Sequence, residues 1–270
     1  MKVWLDGRLV DEQAASVSTF DHGLLLGDGV FETLRVYSGE PFALDEHLAR
    51  LHSSAAVMGI PVPDDLGAAA HEVLRANQLS DARMRITLTS GGGPAGLARG
   101  AGSPTALVVT LPLAAWPPVS TAIVSRFRRD EQSPLAGAKT TSLAQSVIAL
   151  AEARDAGADE ALLLNIAGNL CEATTANVFL VRDGIAATPP LDSGCLAGIT
   201  RAHVLGLGAV ERTLSRDELS QADEAFLTSS TREVQPLVAI DGRRVGTGEP
   251  GPVTRRLAGA YSELVAARPG

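Results

Sequence analysis

Lysine is almost missing from this 270-residue chain. Of 23 basic residues only Lys2 and Lys139 are lysine, and the rest are arginine. Cysteine is scarce as well. Cys171 and Cys195 are too few for a disulfide framework. Aromatic residues make up 4%, so Ala, Val, Leu and Ile must build the core. No apolar run approaches the length of about 18 residues that a membrane-spanning helix needs. A net charge of −8 leaves no basic stripe to displace counterions, which argues against nucleic acid and anionic membrane as partners. The start, MKVWLDGRLVDEQ, carries charges where a secretory leader would be apolar, so a cytoplasmic location is expected. The five histidines (22, 47, 52, 71, 203) show no ligand spacing such as H-E-x-x-H, so no metal is expected.

What remains is a chain that is 45% hydrophobic and long enough for two domains. VWLDGRLV reads as a hairpin turning at Asp6-Gly7, and FETLRVYSGEPFAL repeats the pattern around Ser38-Gly39. Leu44, Leu48, Leu51, Ala55 and Met58 have helical spacing, with Gly59 as the stop. A second helix is expected over 64–77. RMRITLTS and TALVVTL read as strands, joined by GGGPAGLARGAGSP, which is expected to be a mobile loop. GGGPAG fits G-x-G-x-x-G, but Pro94 and more glycine follow where a pyrophosphate-binding helix should start. LPLAAWPPVS reads as a linker. Beyond it come a strand, the loop carrying Lys139, a helix over 142–155, several short strands and a short helix near Thr200. The expected division is an N-terminal domain over 1–112, a linker over 113–120 and a C-terminal domain over 121–270 carrying Lys139. The expected class is α+β.

Lys139 stands in PLAGAKTTSLAQSVI, among small residues. Burial can lower a lysine pKa by several units, whereas arginine stays protonated and is a poor nucleophile. Lys139 is therefore either a reactive amine kept for Schiff-base chemistry or a survivor of arginine-biased composition. Glu172 in NLCEATTANVFLV is either an exposed strand-end carboxylate or the partner of a pyridine nitrogen. In SGCLAGITRAH, a helix starting near Thr200 offers free N–H groups to an anion, or is simply capped by a threonine. FLTSSTREV ends a strand in three hydroxyls, which form a polar turn or finish the same anion cup. Arg50 pairs with Glu46 one turn away or reaches a phosphate. An amine, a carboxylate for a ring nitrogen and several anion donors together suit pyridoxal 5′-phosphate.

The stretches DHGLLLGDGVFETLRVYSGEPFALDEHLARL, AKTTS, LCEATTANVFLV, TPPLDSGCLAGITR and FLTSSTREVQP follow in order over nearly the whole chain. In these the sequence resembles the class IV aminotransferase family of fold-type IV, D-amino-acid aminotransferase-like enzymes. The resemblance implies a homodimer of two-domain subunits with the cofactor between the domains. It implies Lys139 as the Schiff-base lysine and Glu172 as the ring-nitrogen partner. It implies Arg50, Ile199, Thr200 and Ser230 around the phosphate, Asn177 orienting the loop near Glu172, and Thr231 where amides meet a substrate carboxylate. Within the family the stretches look most like the 4-amino-4-deoxychorismate lyase branch. Branched-chain and D-amino-acid aminotransferases share the scaffold. Leu26 and Leu143 stand where relatives often carry an aromatic residue and a tyrosine.

As a lyase, the enzyme would use Lys139 to remove the C4 proton of a dicarboxylate small molecule and release pyruvate and 4-aminobenzoate. Arg99, Arg83 or Arg85 would receive the carboxylates, with Phe31 on the substrate side. Strand alternation puts Arg83 and Arg85 on one face, lining the cleft together or facing water together. The alternative is an aminotransferase, in which Lys139 returns the proton to the cofactor.

Overall fold

The computed structural model describes residues 1–267. Residues 268–270, the end of the expected C-terminal domain, lie outside the described residues. The described chain divides into two compact units. Unit 1 takes Met1–Ala114 and Ala138–Leu143, and unit 2 takes Ala115–Gly137 and Ala144–Ala267.

In unit 1, Asp6 and Gly7 adopt φ of 46° and 86°, the left-handed pair that a tight hairpin requires. They fold Lys2–Leu5 (β1) against Arg8–Asp11 (β2). A short helix, His22–Leu26 (α1), follows Asp21, whose carboxylate accepts from the Gly23 N–H. Then come Gly29–Tyr37 (β3), Glu40–Pro41 (β4), Leu44–Met58 (α2), Leu66–Asn77 (α3), Ala82–Thr89 (β5) and Thr105–Pro112 (β6). The sheet runs β2-β1-β6-β5-β3-β4, antiparallel throughout.

The period of two decides what each sheet face carries. Val30, Leu34 and Val36 of β3 and Met84, Ile86 and Leu88 of β5 pack with Leu51, Ala55, Ala70 and Val73 of α2 and α3. Glu32 falls in that same register, so its carboxylate is carried into the helix-covered face. Phe31, Arg83 and Arg85 fall in the opposite one.

The loop expected to mark the C-terminal domain belongs to unit 1. The Phe31 N–H donates to the Lys139 carbonyl at 3.0 Å, and the Thr141 N–H donates to Gly29 at 2.8 Å. The hydroxyls of Thr141 and Ser142 both donate to the Gly27 carbonyl. These bonds lay residues 139–142 along the start of β3.

Unit 2 holds Ser120–Arg129 (β7), Ala144–Asp155 (α4), Glu160–Asn165 (β8), Leu170–Ala173 (β9), Asn177–Arg182 (β10) and Ile185–Thr188 (β11). After these come Ile199–Gly206 (α5), Val210–Glu211 (β12), Glu224–Ser229 (β13), Glu233–Ile240 (β14), Arg243–Arg244 (β15) and Pro252–Ala267 (α6). The strand order is β12-β11-β10-β13-β14-β7-β8-β9, with β15 beside β14. Pairing is parallel at β11/β12, β14/β7 and β7/β8 and antiparallel elsewhere. Leu162, Leu164, Val178, Leu180, Leu227 and Leu237 share one buried cluster. Phe179 and Phe226 stack at 4.7 Å between ring centroids. Mixed sheets with helices packed on them make the fold α+β. Among the described residues no helix is long and apolar enough to cross a membrane.

Candidate active site

Unit 1 carries a candidate amine. Lys139 is half-buried, and its backbone N–H donates to Ser54 Oγ at 3.0 Å. Its Nζ lies 4.5 Å from the centre of the Phe31 ring. The same ring carries the Arg85 guanidinium at 3.8 Å, and Arg85 Nε donates to Thr87 Oγ1 at 3.1 Å. Arg83, on the same strand face, is exposed.

Glu32 is fully buried beside this group. It accepts Arg50 Nε at 2.8 Å and Nη2 at 2.6 Å, a two-pronged pair, and His47 Nδ1 at 2.7 Å. Burial alone would push its carboxyl up. The Arg50 and His47 hydrogen bonds outweigh that and hold it at about 2. Burial holds His47 below its ordinary value, helped by the nearby Arg50 and Lys139 charges, so a neutral imidazole makes the donation. From sequence, Arg50 had two candidate partners, Glu46 and a phosphate. Its fork is set by Glu32, which only the strand register could have pointed to.

The folded pKa of Glu32 lies below the unfolded one. Its ionised form therefore stabilises the fold above about pH 4.5, and that stability is lost as pH falls toward 2. Glu32→Gln is expected to lower stability at neutral pH by about 3 kcal/mol, because Arg50 loses its buried partner. Denaturant melts read this directly, and the variant should lack the wild-type slope in acid.

The glycine-rich loop, expected to be mobile, is held at several points. His22 Nε2–H donates to the Pro94 carbonyl at 2.8 Å, and the Gly93 N–H donates to Phe20. Arg99 forks onto Asp28 at 2.7 and 2.6 Å and reaches the Gly59 carbonyl at 3.2 Å. The guanidinium expected to meet a substrate carboxylate is thus engaged by Asp28.

Unit 2 carries its own set of polar groups. Glu172 on β9 is 6% exposed. Its Oε1 accepts Arg129 Nη2 at 2.6 Å and its Oε2 accepts the Leu196 N–H at 2.9 Å. Arg129 ends β7, just past a register shift between Val124 and Arg128 that re-aims the strand. Arg129 was not among the expected residues, since nothing in RFRRDE separates it from its neighbours. Asn177 opens β10 and donates from Nδ2 to the Leu196 carbonyl at 2.8 Å. It therefore holds the loop that donates to Glu172. Gly198 caps α5, and a Cβ there would sit 2.0 Å from Asn177 Oδ1. No side chain caps this helix end. Its first N–H groups, including Ile199 and Thr200, have no partner within the helix. Thr200 is buried, with its hydroxyl 3.4 Å from that of Tyr261. Ser230 and Thr231 are half-buried in the turn between β13 and β14. Both cysteines are buried, and burial pushes each thiol up, which makes them poor nucleophiles. Among the described residues no cluster of three or more His, Cys, Asp or Glu is placed to hold a metal.

Pyridoxal 5′-phosphate fits these groups. The Glu172 carboxylate has acceptor sites beyond the two in use. The glycine-capped helix end offers amides and a positive dipole end to a phosphate. An amine lies on an aromatic wall in unit 1.

These are the kinds of group that a pyridoxal-phosphate enzyme uses. The chain belongs to the amino-transferase class IV family, whose description matches residues 29–240. It is 38% identical to a putative branched-chain-amino-acid aminotransferase of Methanocaldococcus jannaschii, over 98% of this chain and 96% of that protein. It is 36% identical to a D-alanine aminotransferase of Bacillus licheniformis, over 98% and 97%. The Escherichia coli branched-chain amino acid aminotransferase superposes with a TM-score of 0.93 at 33% identity, over 98% and 94%. A T.th. enzyme of the same name, solved with pyridoxamine 5′-phosphate, gives 0.90 at 32%, over 99% and 95%. A structure described as a putative 4-amino-4-deoxychorismate lyase from Legionella pneumophila gives 0.86 at 28%, over 94% and 97%.

Proposed function

We propose that this enzyme is an aminotransferase moving the amino group of a branched-chain amino acid to a 2-oxo acid. The observation that carries the proposal is the Phe31 ring, with the Lys139 amine 4.5 Å and the Arg85 guanidinium 3.8 Å from its centre. A small apolar amino acid needs a base at its Cα, a cation for its carboxylate and an apolar wall for its side chain. These three residues offer that set. Arg83, exposed on the same strand face, stays a substrate candidate of lower rank.

The bound cofactor supplies an aldehyde for the amine and a ring that accepts charge. Lys139 would anchor the cofactor through its aldehyde carbon, and its amine would hold and move the substrate's Cα proton. Glu172, fixed by Arg129 and Leu196, would face the ring nitrogen and favour its protonated form. Ile199, Thr200 and Ser230 would hold the phosphate, and on the family resemblance Arg50, whose fork Glu32 fixes, would do so too. Asn177 keeps the Leu196 loop in position. The Thr231 amide would meet the substrate carboxylate. A homodimer remains part of the proposal on the family resemblance.

The lyase expected from the sequence has less support. Relatives named as branched-chain aminotransferases match at higher identity and TM-score than the lyase neighbour. A dicarboxylate substrate also asks for another cation, and Asp28 engages Arg99. The test is a panel of donors with 2-oxoglutarate: L-leucine, L-valine and D-alanine, beside enzymatically generated aminodeoxychorismate. Glutamate formed from the branched L-amino acids supports the proposal. Turnover of D-alanine alone, or release of 4-aminobenzoate and pyruvate, would replace it.

A further inference from the structure

A hairpin turn asks for glycine or asparagine, yet the turn joining β13 to β14 buries an arginine. Arg232 is 8% exposed. Its Nη2 donates to Glu160 Oε2 at 2.7 Å and to Thr175 Oγ1 at 2.8 Å. Its Nη1 donates to Gln235 Oε1 at 3.2 Å, and its guanidinium lies 4.1 Å from the centre of the Trp116 ring. Its backbone N–H donates to Ser229 Oγ at 3.3 Å, which shapes the turn itself.

Glu160, at the start of β8, is fully buried and gathers the other side. Besides Arg232 it accepts the Thr175 hydroxyl at 2.6 Å, the Thr174 hydroxyl and the Ala161 N–H. Four donors fill the roughly four acceptor sites of a carboxylate. Thr174 and Thr175 form the turn between Glu172 on β9 and Asn177 on β10. One ion pair therefore joins two turns: the one that follows Glu172, and the one bearing Ser230 and Thr231.

We propose that Arg232 is a positioning residue, which fixes Ser230 and Thr231 relative to Glu172 by clasping Glu160 and Thr175. The inference rests on the roles proposed above for Ser230 and Thr231. Stability alone is a weak reason to keep such a group, since a buried ion pair is often matched by apolar packing. Among the described residues its Nε finds no partner, a further cost. Geometry is the stronger reason. A guanidinium reaches two acceptors in a fixed fork while stacking on an indole, which an ammonium cannot do.

The test compares apo-proteins of the wild type, Arg232→Lys, Thr175→Val and Ser230→Ala. Affinity is measured for pyridoxal 5′-phosphate and for pyridoxal, which lacks the phosphate, with thermal midpoints alongside. Arg232→Lys is expected to weaken phosphate-ester binding about tenfold, the size of one charge-assisted hydrogen bond, and Thr175→Val about threefold. Pyridoxal affinity should hold, and KM for the 2-oxo acid should rise more than kcat falls. Wild-type affinity and KM in both variants, with Ser230→Ala weakened, would overturn the positioning role and leave the phosphate cup standing. An equal loss for both ligands that tracks the thermal midpoint would also overturn it. An unaffected Ser230→Ala would remove the cup itself, and the inference with it.

Discussion

Lys139→Ala is expected to lower kcat by roughly 10⁴-fold, the upper range for losing a positioned general acid–base, with the covalent anchor lost as well. The protein should still fold, because the Phe31 N–H donates to the Lys139 carbonyl, the Thr141 N–H to Gly29 and the Lys139 N–H to Ser54 Oγ, bonds that the substitution leaves in place. Lys2 offers no substitute. It is paired with Asp11 at 2.9 Å, with 46% of its side chain exposed. Lys139→Arg should be as inactive as the alanine variant, since a guanidinium stays protonated. A small primary amine added to Lys139→Ala should restore part of the rate by carrying the proton. Steady-state kinetics with and without such an amine check this. A variant retaining more than about a tenth of wild-type kcat would contradict the role.

Glu172→Gln is expected to cost about 10²- to 10³-fold in kcat, the scale of removing one preorganised electrostatic partner. The amide keeps the size of the side chain but not its charge. In the proposed role the ring nitrogen then loses the anion that favours its proton, and Arg129 loses its partner at 2.6 Å. Stability should fall as well, since a half-buried guanidinium is left without its carboxylate. Glu172→Asp, which keeps the charge, should lie between the two in rate. Kinetics on the three proteins, with denaturant melts beside them, separate the catalytic loss from the stability loss. A glutamine variant within about threefold of wild type in kcat would remove Glu172 from the ring-nitrogen role.

Local chemistry was the most legible part of the fold. Asp6-Gly7 and Ser38-Gly39 mark turns, and each pair has positive φ at both residues. The helix read from Leu44 to Gly59 appears as Leu44–Met58, with Gly59 at φ 64° as its cap. Two helices went unread: α1 is too short for a period to show, and α6 begins at Pro252 after a run of glycine and proline. The candidate residues could be named from the sequence because each type is tied to a chemical task. Their supports could not. Glu32 reaches His47 and Arg50 across to helix α2, Arg129 and Glu172 meet across 43 residues of chain and Glu160 and Arg232 across 72, and a register shift helps to aim Arg129. The position of Glu32 among Val30, Leu34 and Val36 was a usable signal, since a carboxylate in a core register needs a buried partner. The substrate was the least legible. The pairing of Arg99 with Asp28 depends on how the glycine-rich loop folds back, which composition does not reveal.

The claim beneath all of this is a covalent bond from Lys139 Nζ to the cofactor. Reducing the holoenzyme with borohydride, digesting it and locating the pyridoxyl phosphate by mass spectrometry tests it most directly. The account predicts loss of the yellow absorbance and a single modified peptide, the one containing Lys139. Label on Lys2, or a fully loaded enzyme that reduction leaves unlabelled, would contradict it.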